Sequence, residues 1–338
     1  MAINDSSESK DILAYILLII TVTFWGLAWP IGRYIVSPEF GDTVPPFLIV
    51  VIRYFIFVTL LFIAAYVYER SINFDFFKLH WKELSLMGLV SVTFYQFGYL
   101  YGETFTAASD ASLVVATSPI IVLFVAAFVI NEKITPIKLI GSFIAFLGVV
   151  IIVGFSPNTH VPNRLFGDFL VFLAAISYGT YTVLLRRIFN KYPNKKPSSF
   201  HVLSWLSLMG LIFSLPLAFF TGPSYFLNPE LVLTIPPRIW FGILYLAFFS
   251  SFIAYICYTE GVKRIGASRS AVFVNLVPVV GVTASVFIGE TIDPIVHLLS
   301  FLCIFIGIML VNYKGNHQNV HSQQIEFSSP TYKAEQLD

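Results

Sequence analysis

YGETFTAASDASLVVATSPI, residues 101–120, and EGVKRIGASRSAVFVNLVPV, residues 260–279, decide how this chain is built. Set one under the other at a separation of 159, Gly102, Ala108-Ser109 and Pro119 fall on Gly261, Ala267-Ser268 and Pro278, and farther on Gly148 falls on Gly307. Glu132 and Pro136 meet Glu290 and Pro294 one residue out of step. Upstream, Phe24-Trp25-Gly26 precedes Arg33 as Ser177-Tyr178-Gly179 precedes Arg186, at a separation of 153. A unit of nearly half the chain is therefore written twice.

What lies between these markers is apolar. Hydrophobic residues make up 57% of the 338 and charged residues 12%, against about 25% charged in an ordinary globular chain. Mean hydropathy is +0.80. So little polar surface excludes a soluble domain, and a net charge of +1 gives no excess of either sign to draw nucleic acid. Crossing a bilayer takes about 20 apolar residues. Ten such runs are expected, near 13–36, 45–67, 84–105, 109–130, 136–155, 167–189, 199–220, 238–260, 267–289 and 294–313. The first is read as a retained helix and not a signal peptide, because Asp5, Glu8 and Asp11 flank it and it continues through Trp25, Trp29 and Pro30.

Basic residues give the expected orientation. With the N-terminus cytoplasmic, sixteen of the twenty lysines and arginines fall in cytoplasmic segments or span ends. Arg164 and Arg238 fall in external loops, and Arg33 and Arg53 lie within spans. The fold expected is an all-α polytopic membrane protein of ten transmembrane helices, two inverted five-helix repeats with both termini cytoplasmic. Its divisions are a cytoplasmic N-terminus at 1–12, repeats at 13–155 and 156–313, and a disordered tail at 314–338 rich in Asn, Gln and Ser. Inverted repeats are the usual basis of alternating access, with substrate held near the midplane.

Residues 101–153 and 258–311 resemble the two EamA repeats of the drug/metabolite transporter superfamily. The features carrying the resemblance are an Ala-Ser step opening the fourth helix, a mid-helix proline, a glutamate ending that helix and a glycine-containing fifth helix. Trp25-Gly26 and Arg53 fit the first two helices of the family. The resemblance implies a ten-helix transporter in the cytoplasmic membrane, commonly an exporter of amino acids, nucleobases, sugars or other small metabolites.

Ionisable groups inside spans carry the candidate chemistry. Arg53 lies eight residues, roughly 12 Å, below the start of its span. Two readings stand for it: a clamp for a carboxylate or phosphate, or a structural pair with an acid or helix-end carbonyls. Glu103 is a candidate partner or coupling carboxylate, with a wetted interfacial carboxylate as the simpler reading. Arg33 and Arg186 are read as interfacial anchors, whereas Trp25 is too deep for that role. Tyr95, Gln96 and Tyr99 on the third span, Tyr178 on the sixth and Tyr255 and Tyr258 on the eighth are candidates for an aromatic and polar cavity wall. Pro119 and Pro278 each free a carbonyl four residues earlier, with Asn275 among the nearest polar groups, and are expected to hinge or break their helices. His201 and His297 are taken as interfacial.

Gly98 and Gly102, and the row of Gly141, Ala145 and Gly148, are expected to allow close helix packing, and an outward-facing stripe of this kind could join two copies of the chain. Cys257 and Cys303 both lie in apolar stretches and suggest neither disulfide nor metal. No cofactor is expected, and no G-x-x-x-x-G-K-[ST] sequence occurs to bind ATP phosphates. The function expected is secondary transport, in the direction of export, of a small metabolite such as an amino acid. The alternatives are a passive facilitator or channel and a membrane enzyme, the last lacking any cluster of His, Asp or Cys.

Overall fold

The structure is a computed structural model that describes residues 2–129, 134–158, 161, 163–192, 197–265, 273–274 and 276–312. Those residues form helices and short connections, with no strand among them. Eight helical segments are long and apolar enough to cross a membrane: 12–36, 46–69, 108–129, 136–155, 164–189, 199–221, 237–261 and 294–311. They match eight of the ten expected runs to within a few residues. The third run lies in a helical stretch interrupted by wider turns, and of the ninth only a shorter apolar helix, Val277–Ile288, is described.

In chain order the helices are α1 (Ala2–Val36), α2 (Pro46–Glu69), α3 (Phe74–Gly88), α4 (Gly102–Phe105), α5 (Ala108–Val115), α6 (Ser118–Val129) and α7 (Pro136–Phe155), followed by α8 (Arg164–Asn190), α9 (Ser199–Thr221), α10 (Pro223–Leu227), α11 (Pro237–Leu244), α12 (Ala254–Ile265), α13 (Val277–Ser285) and α14 (Pro294–Asn312). Proline opens α2, α7, α10, α11 and α14, where its missing N–H would have no intrahelical partner anyway. Asn73 and Ser198 cap α3 and α9 by accepting from the amides of Phe76 and Phe200.

Between α3 and α4 the chain winds as π-helix over Leu89–Phe94 and Phe97–Tyr101, and between α11 and α12 it does so over Tyr245–Ile253. The two halves thus place their wide turns at corresponding points of the repeat. Such turns shift the register of the side chains and recur at functional sites.

Packing follows the repeat as closely as the sequence does. α1 packs on the stretch from α11 to α12 and on α13; α8 packs on the stretch from α3 to α4 and on α5 and α6. α2 pairs with α9, and α7 with α14. Exchanging the halves maps each of these pairings onto another or onto itself. Large apolar side chains cover the outside, with Phe128 85% and Phe287 89% exposed. A lipid surface suits such an exterior.

The glycines of the expected packing rows lie inside the bundle. A Cβ on Gly98 would meet Ala174, and one on Gly102 would meet Val171, both on α8. In the α7–α14 seam, a Cβ on Gly307 would lie 2.6 Å from the Cβ of Ala145 and 2.5 Å from its nitrogen. The small-residue rows are thus used within the chain and are not free to join a second copy. Gly307→Leu is expected to lower the melting temperature in detergent, since overpacking costs about 1–3 kcal/mol and here backbone blocks the relief. Gly154→Leu, on the same helix as Ala145 but with nothing within 4 Å of its added Cβ, is the control and should melt with the parent protein.

Candidate functional site

A cavity of about 90 Å³ lies between the two halves. α1 contributes Trp25, Ala28 and Trp29, α2 contributes Arg53, and the π-helical region before α4 contributes Tyr95 and Tyr99. Across from them stand Tyr178 of α8, Ser250 and Tyr255 from the eighth run, and Val274, Val277 and Pro278. Ser112, Val115, Ala116 and Ser118, around the break between α5 and α6, complete the wall.

Aromatic contacts fix much of that wall. The Trp25 ring centroid is 5.3 Å from that of Tyr255 and 5.2 Å from that of Tyr258, and its indole N–H donates to the Ser250 carbonyl at 3.0 Å. Trp29 meets Tyr99 edge to face at 4.8 Å, and Tyr95 bridges Tyr99 and Tyr178 at 6.1 and 5.7 Å. The Tyr99 hydroxyl donates to the Ala28 carbonyl at 2.5 Å, tying the stretch before α4 to α1. The rings hold one another in place and leave their faces and edges to the cavity.

Arg53 is 4% exposed. Its Nε donates to the Ser251 hydroxyl at 3.1 Å and its Nη1 to the Gln96 side-chain oxygen at 3.1 Å. Gln96 is oriented in turn by donating its Nε2 to the Tyr54 hydroxyl at 2.9 Å. The guanidinium is therefore steadied from both repeats by neutral groups. Gln96 lies behind Arg53 and not on the cavity wall, and Tyr258 backs Trp25 in the same way.

Glu103 does not sit wetted at an interface, as the simpler sequence reading had it. It is 0% exposed and neither carboxylate oxygen has a hydrogen-bond partner among the described residues. The reason is that α1 covers it: Gly32 leaves just enough room for the Glu103 carboxylate and the Tyr99 hydroxyl beside it. Arg33 is not an interfacial anchor either. It is 1% exposed, with Nε 3.0 Å from Glu290 and Nη2 2.8 Å from Glu39, and its Nη1 donates to the backbone carbonyls of Glu103 and Thr106. Tertiary packing closes over the end of α1 and turns a residue of snorkelling type into a buried linchpin. Arg186 is exposed, as expected of an interfacial side chain.

A second buried charge cluster escaped the sequence reading. Arg164, expected in an external loop, donates Nη1 to Asp110 at 3.1 Å and to Asp168 at 3.3 Å, and its Nη2 reaches the Val153 carbonyl. Thr106 donates to Asp168 at 2.5 Å, Asn158 donates to Asp110 at 3.5 Å, and His297 lies 3.7 Å from Asp110. His297 is therefore buried among charges and not interfacial. His201 also is buried, its ring nitrogen 3.0 Å from the Ser71 carbonyl. The signal was present in Arg164 and Asp168, four residues apart on one helix face, and in Asp110 three residues into an apolar run.

Pro119 is the second residue of α6 and Pro278 the second of α13, each just after a turn, at Ala116-Thr117 and at Leu276. The fourth run is thus two helices, with the Thr117 hydroxyl and amide donating to the Val114 carbonyl at 2.7 and 3.2 Å across the break. Pro278 lines the cavity. Asn275 lies outside the described residues. Among the described residues no group of three His, Cys, Asp or Glu side chains is arranged to hold a metal ion.

A model of the EamA-like transporter family matches residues 12–154 and 165–313. The chain is 26% identical over 317 residues to the uncharacterized transporter YetK of Bacillus subtilis, covering 92% of this chain and 90% of that one. It is 30% identical over 275 residues to an uncharacterized transporter of Archaeoglobus fulgidus, covering 80% and 88%. A probable terminal-alkyne amino-acid exporter of Streptantibioticus cattleyicolor is 26% identical over 233 residues, covering 68% and 72%. Among the solved structures that match, a crystal structure has a TM-score of 0.58 at 18% identity, over 90% of this chain and 97% of that chain, a likeness of fold.

Proposed function

The chain belongs to the EamA-like transporter family, and from that premise we propose that it is a secondary transporter that exports a small metabolite, an amino acid or a similar compound, across the cell membrane. It is a multi-pass membrane protein, and its family and relatives indicate a transporter rather than an enzyme. The observation that carries the proposal is the cavity between the halves, walled by aromatic rings and holding one steadied cation. An aromatic-walled cavity with few convergent polar groups has the chemistry of a small-molecule site.

Ten spans in two inverted repeats, with both termini cytoplasmic, provide the machinery for alternating access. In this reading the residues named from the sequence take substrate roles: Arg53, Trp25, Tyr95, Tyr99, Tyr178 and Tyr255 on the wall, Gln96 and Tyr258 as their supports. The breaks before Pro119 and Pro278 act as hinges, and Glu103 is the coupling carboxylate. The kinship to an amino-acid exporter supports the substrate class named. Purified protein in proteoliposomes should show saturable, counterflow-competent flux of labelled amino acids or related metabolites. Linear, non-saturating flux would make the protein a channel, and absence of flux across a broad panel would remove the transporter reading.

A further inference from the structure

We infer that the recognised group of the substrate is a lone carboxylate on Arg53, carried on a flat apolar body, and that an α-amino group is not itself recognised, which narrows the compounds named above to amine-free carboxylates in preference to amino acids; the inference rests on the transporter reading above. The argument begins with how the protein treats its buried guanidiniums. Arg33 is paired with Glu39 and Glu290, and Arg164 with Asp110 and Asp168. Arg53, as deeply buried, donates to the neutral oxygens of Ser251 and Gln96, and among the described residues no carboxylate stands within ion-pair distance of it. An unpaired cation removed from water is costly, and this is the one of the three that faces a cavity. An anion entering there relieves that cost.

Geometry favours the same occupant. Ser251 and Gln96 hold two nitrogens of the guanidinium from opposite halves of the chain, and Tyr54 holds Gln96. The head is thus oriented before a ligand arrives, which spares the ligand the entropy of ordering it. Among the described residues the wall contributes a single cation, which compensates a monoanion but leaves one charge of a phosphate dianion unmet by them in an apolar space. Trp25, Trp29, Tyr95, Tyr99 and Tyr255 supply rings for a flat body. For an ammonium group the described wall offers hydroxyls and ring faces but no Asp or Glu, and the sequence from 266 to 275 contains neither residue. A zwitterion therefore desolvates its ammonium without a counter-ion.

Three probes that differ only in their charged groups test this: hydrocinnamate, phenylalanine and phenethylamine, titrated calorimetrically into the full chain in detergent at one pH near neutrality. Hydrocinnamate is expected to bind about tenfold or more tightly than phenylalanine, the scale of one charge-assisted bond kept free of an opposing desolvation, and phenethylamine not at all. The ranking is read on the unsubstituted protein, so it stands even if a variant fails to fold. Arg53→Gln should abolish the preference for hydrocinnamate, and Arg53→Lys should retain it with weaker binding. Equal or tighter binding of phenylalanine or phenethylamine, or no binding of any probe, overturns the inference. Flux separates it from the transporter reading: the expected ranking with no hydrocinnamate flux in proteoliposomes upholds the site and removes transport, whereas saturable flux with a reversed ranking does the opposite.

Discussion

Glu290→Ala is expected to destabilise the protein by about 3–5 kcal/mol, the cost of leaving one partner of a buried ion pair without its counter-charge. Glu290 does two jobs at once. Its Oε1 stands 3.0 Å from the Nε of Arg33, out of line for a hydrogen bond but within ion-pair distance, and its two oxygens accept from the amides of Ala108 at 2.6 Å and Ser109 at 2.9 Å. Those amides open α5, whose own preceding residue, Ala107, has no side chain to cap with. A carboxylate from the far repeat thus satisfies the first turn of a helix and its dipole while neutralising an arginine of α1.

Glu39 provides the contrast, because it meets the same arginine from the protein's edge with its side chain 51% exposed. Glu39→Gln should therefore cost no more than about 1 kcal/mol, the range of solvent-screened pairs. Thermal unfolding of purified variants in one detergent measures both. If Glu290→Ala melts with the parent protein, or if Glu39→Gln is as damaging as Glu290→Ala, the assignment of the stabilising charge to Glu290 is wrong.

The same pair illustrates what the sequence could and could not convey. Apolar run length and the recurrence of Gly102, Pro119 and Gly148 at Gly261, Pro278 and Gly307 located the spans and the repeat, because hydrophobic length and backbone-limited packing are local properties. Arg53 was legible as a charge too deep for a loop. Its neighbours were only half legible: Gln96 was singled out, but Ser251 was not, although 155 residues separate them, within the 153 to 159 that relate the halves. What hid Ser251 is the π-helical winding of Tyr245–Ile253, which turns a side chain off the face that a regular helix would give it.

Arg33, Glu103 and Arg164 were misplaced for a different reason. Each lies at or near the end of its run, and position along a run says whether a side chain is near the membrane surface, not whether another helix covers it. At that end of the molecule the beginning of α5, the beginning of α8 and the link before α14 crowd over α1 and α4, so charges that look interfacial in one dimension are enclosed in three. Arg33 and Arg164 each meet a carboxylate of the other repeat, Glu290 and Asp110, and a reading of each span alone does not reveal pairs of that kind.

The Asp110 cluster is where that pairing is expected to matter as much as at Glu290. Asp110 is 0% exposed and receives Arg164 Nη1 at 3.1 Å, the Ser109 hydroxyl at 3.4 Å and Asn158 Nδ2 at 3.5 Å, with His297 of α14 at 3.7 Å. It joins α5 to α8 and to the last helix. Asp110→Ala leaves Arg164 to Asp168 alone and strips His297 of its neighbouring carboxylate, so a loss of about 3–5 kcal/mol is expected. Arg164→Leu should be similarly damaging, since Asp110 and Asp168 then face each other across a buried space without a cation. Because each single change strands the other's charge, the double variant Asp110→Ala/Arg164→Leu should be more stable than the sum of the singles predicts, by about 1 kcal/mol or more. Unfolding midpoints of the four proteins, taken in one detergent, close the cycle. Additivity within about 0.5 kcal/mol would mean that the two residues act independently, and that their 3.1 Å contact contributes nothing to holding α5 against α8.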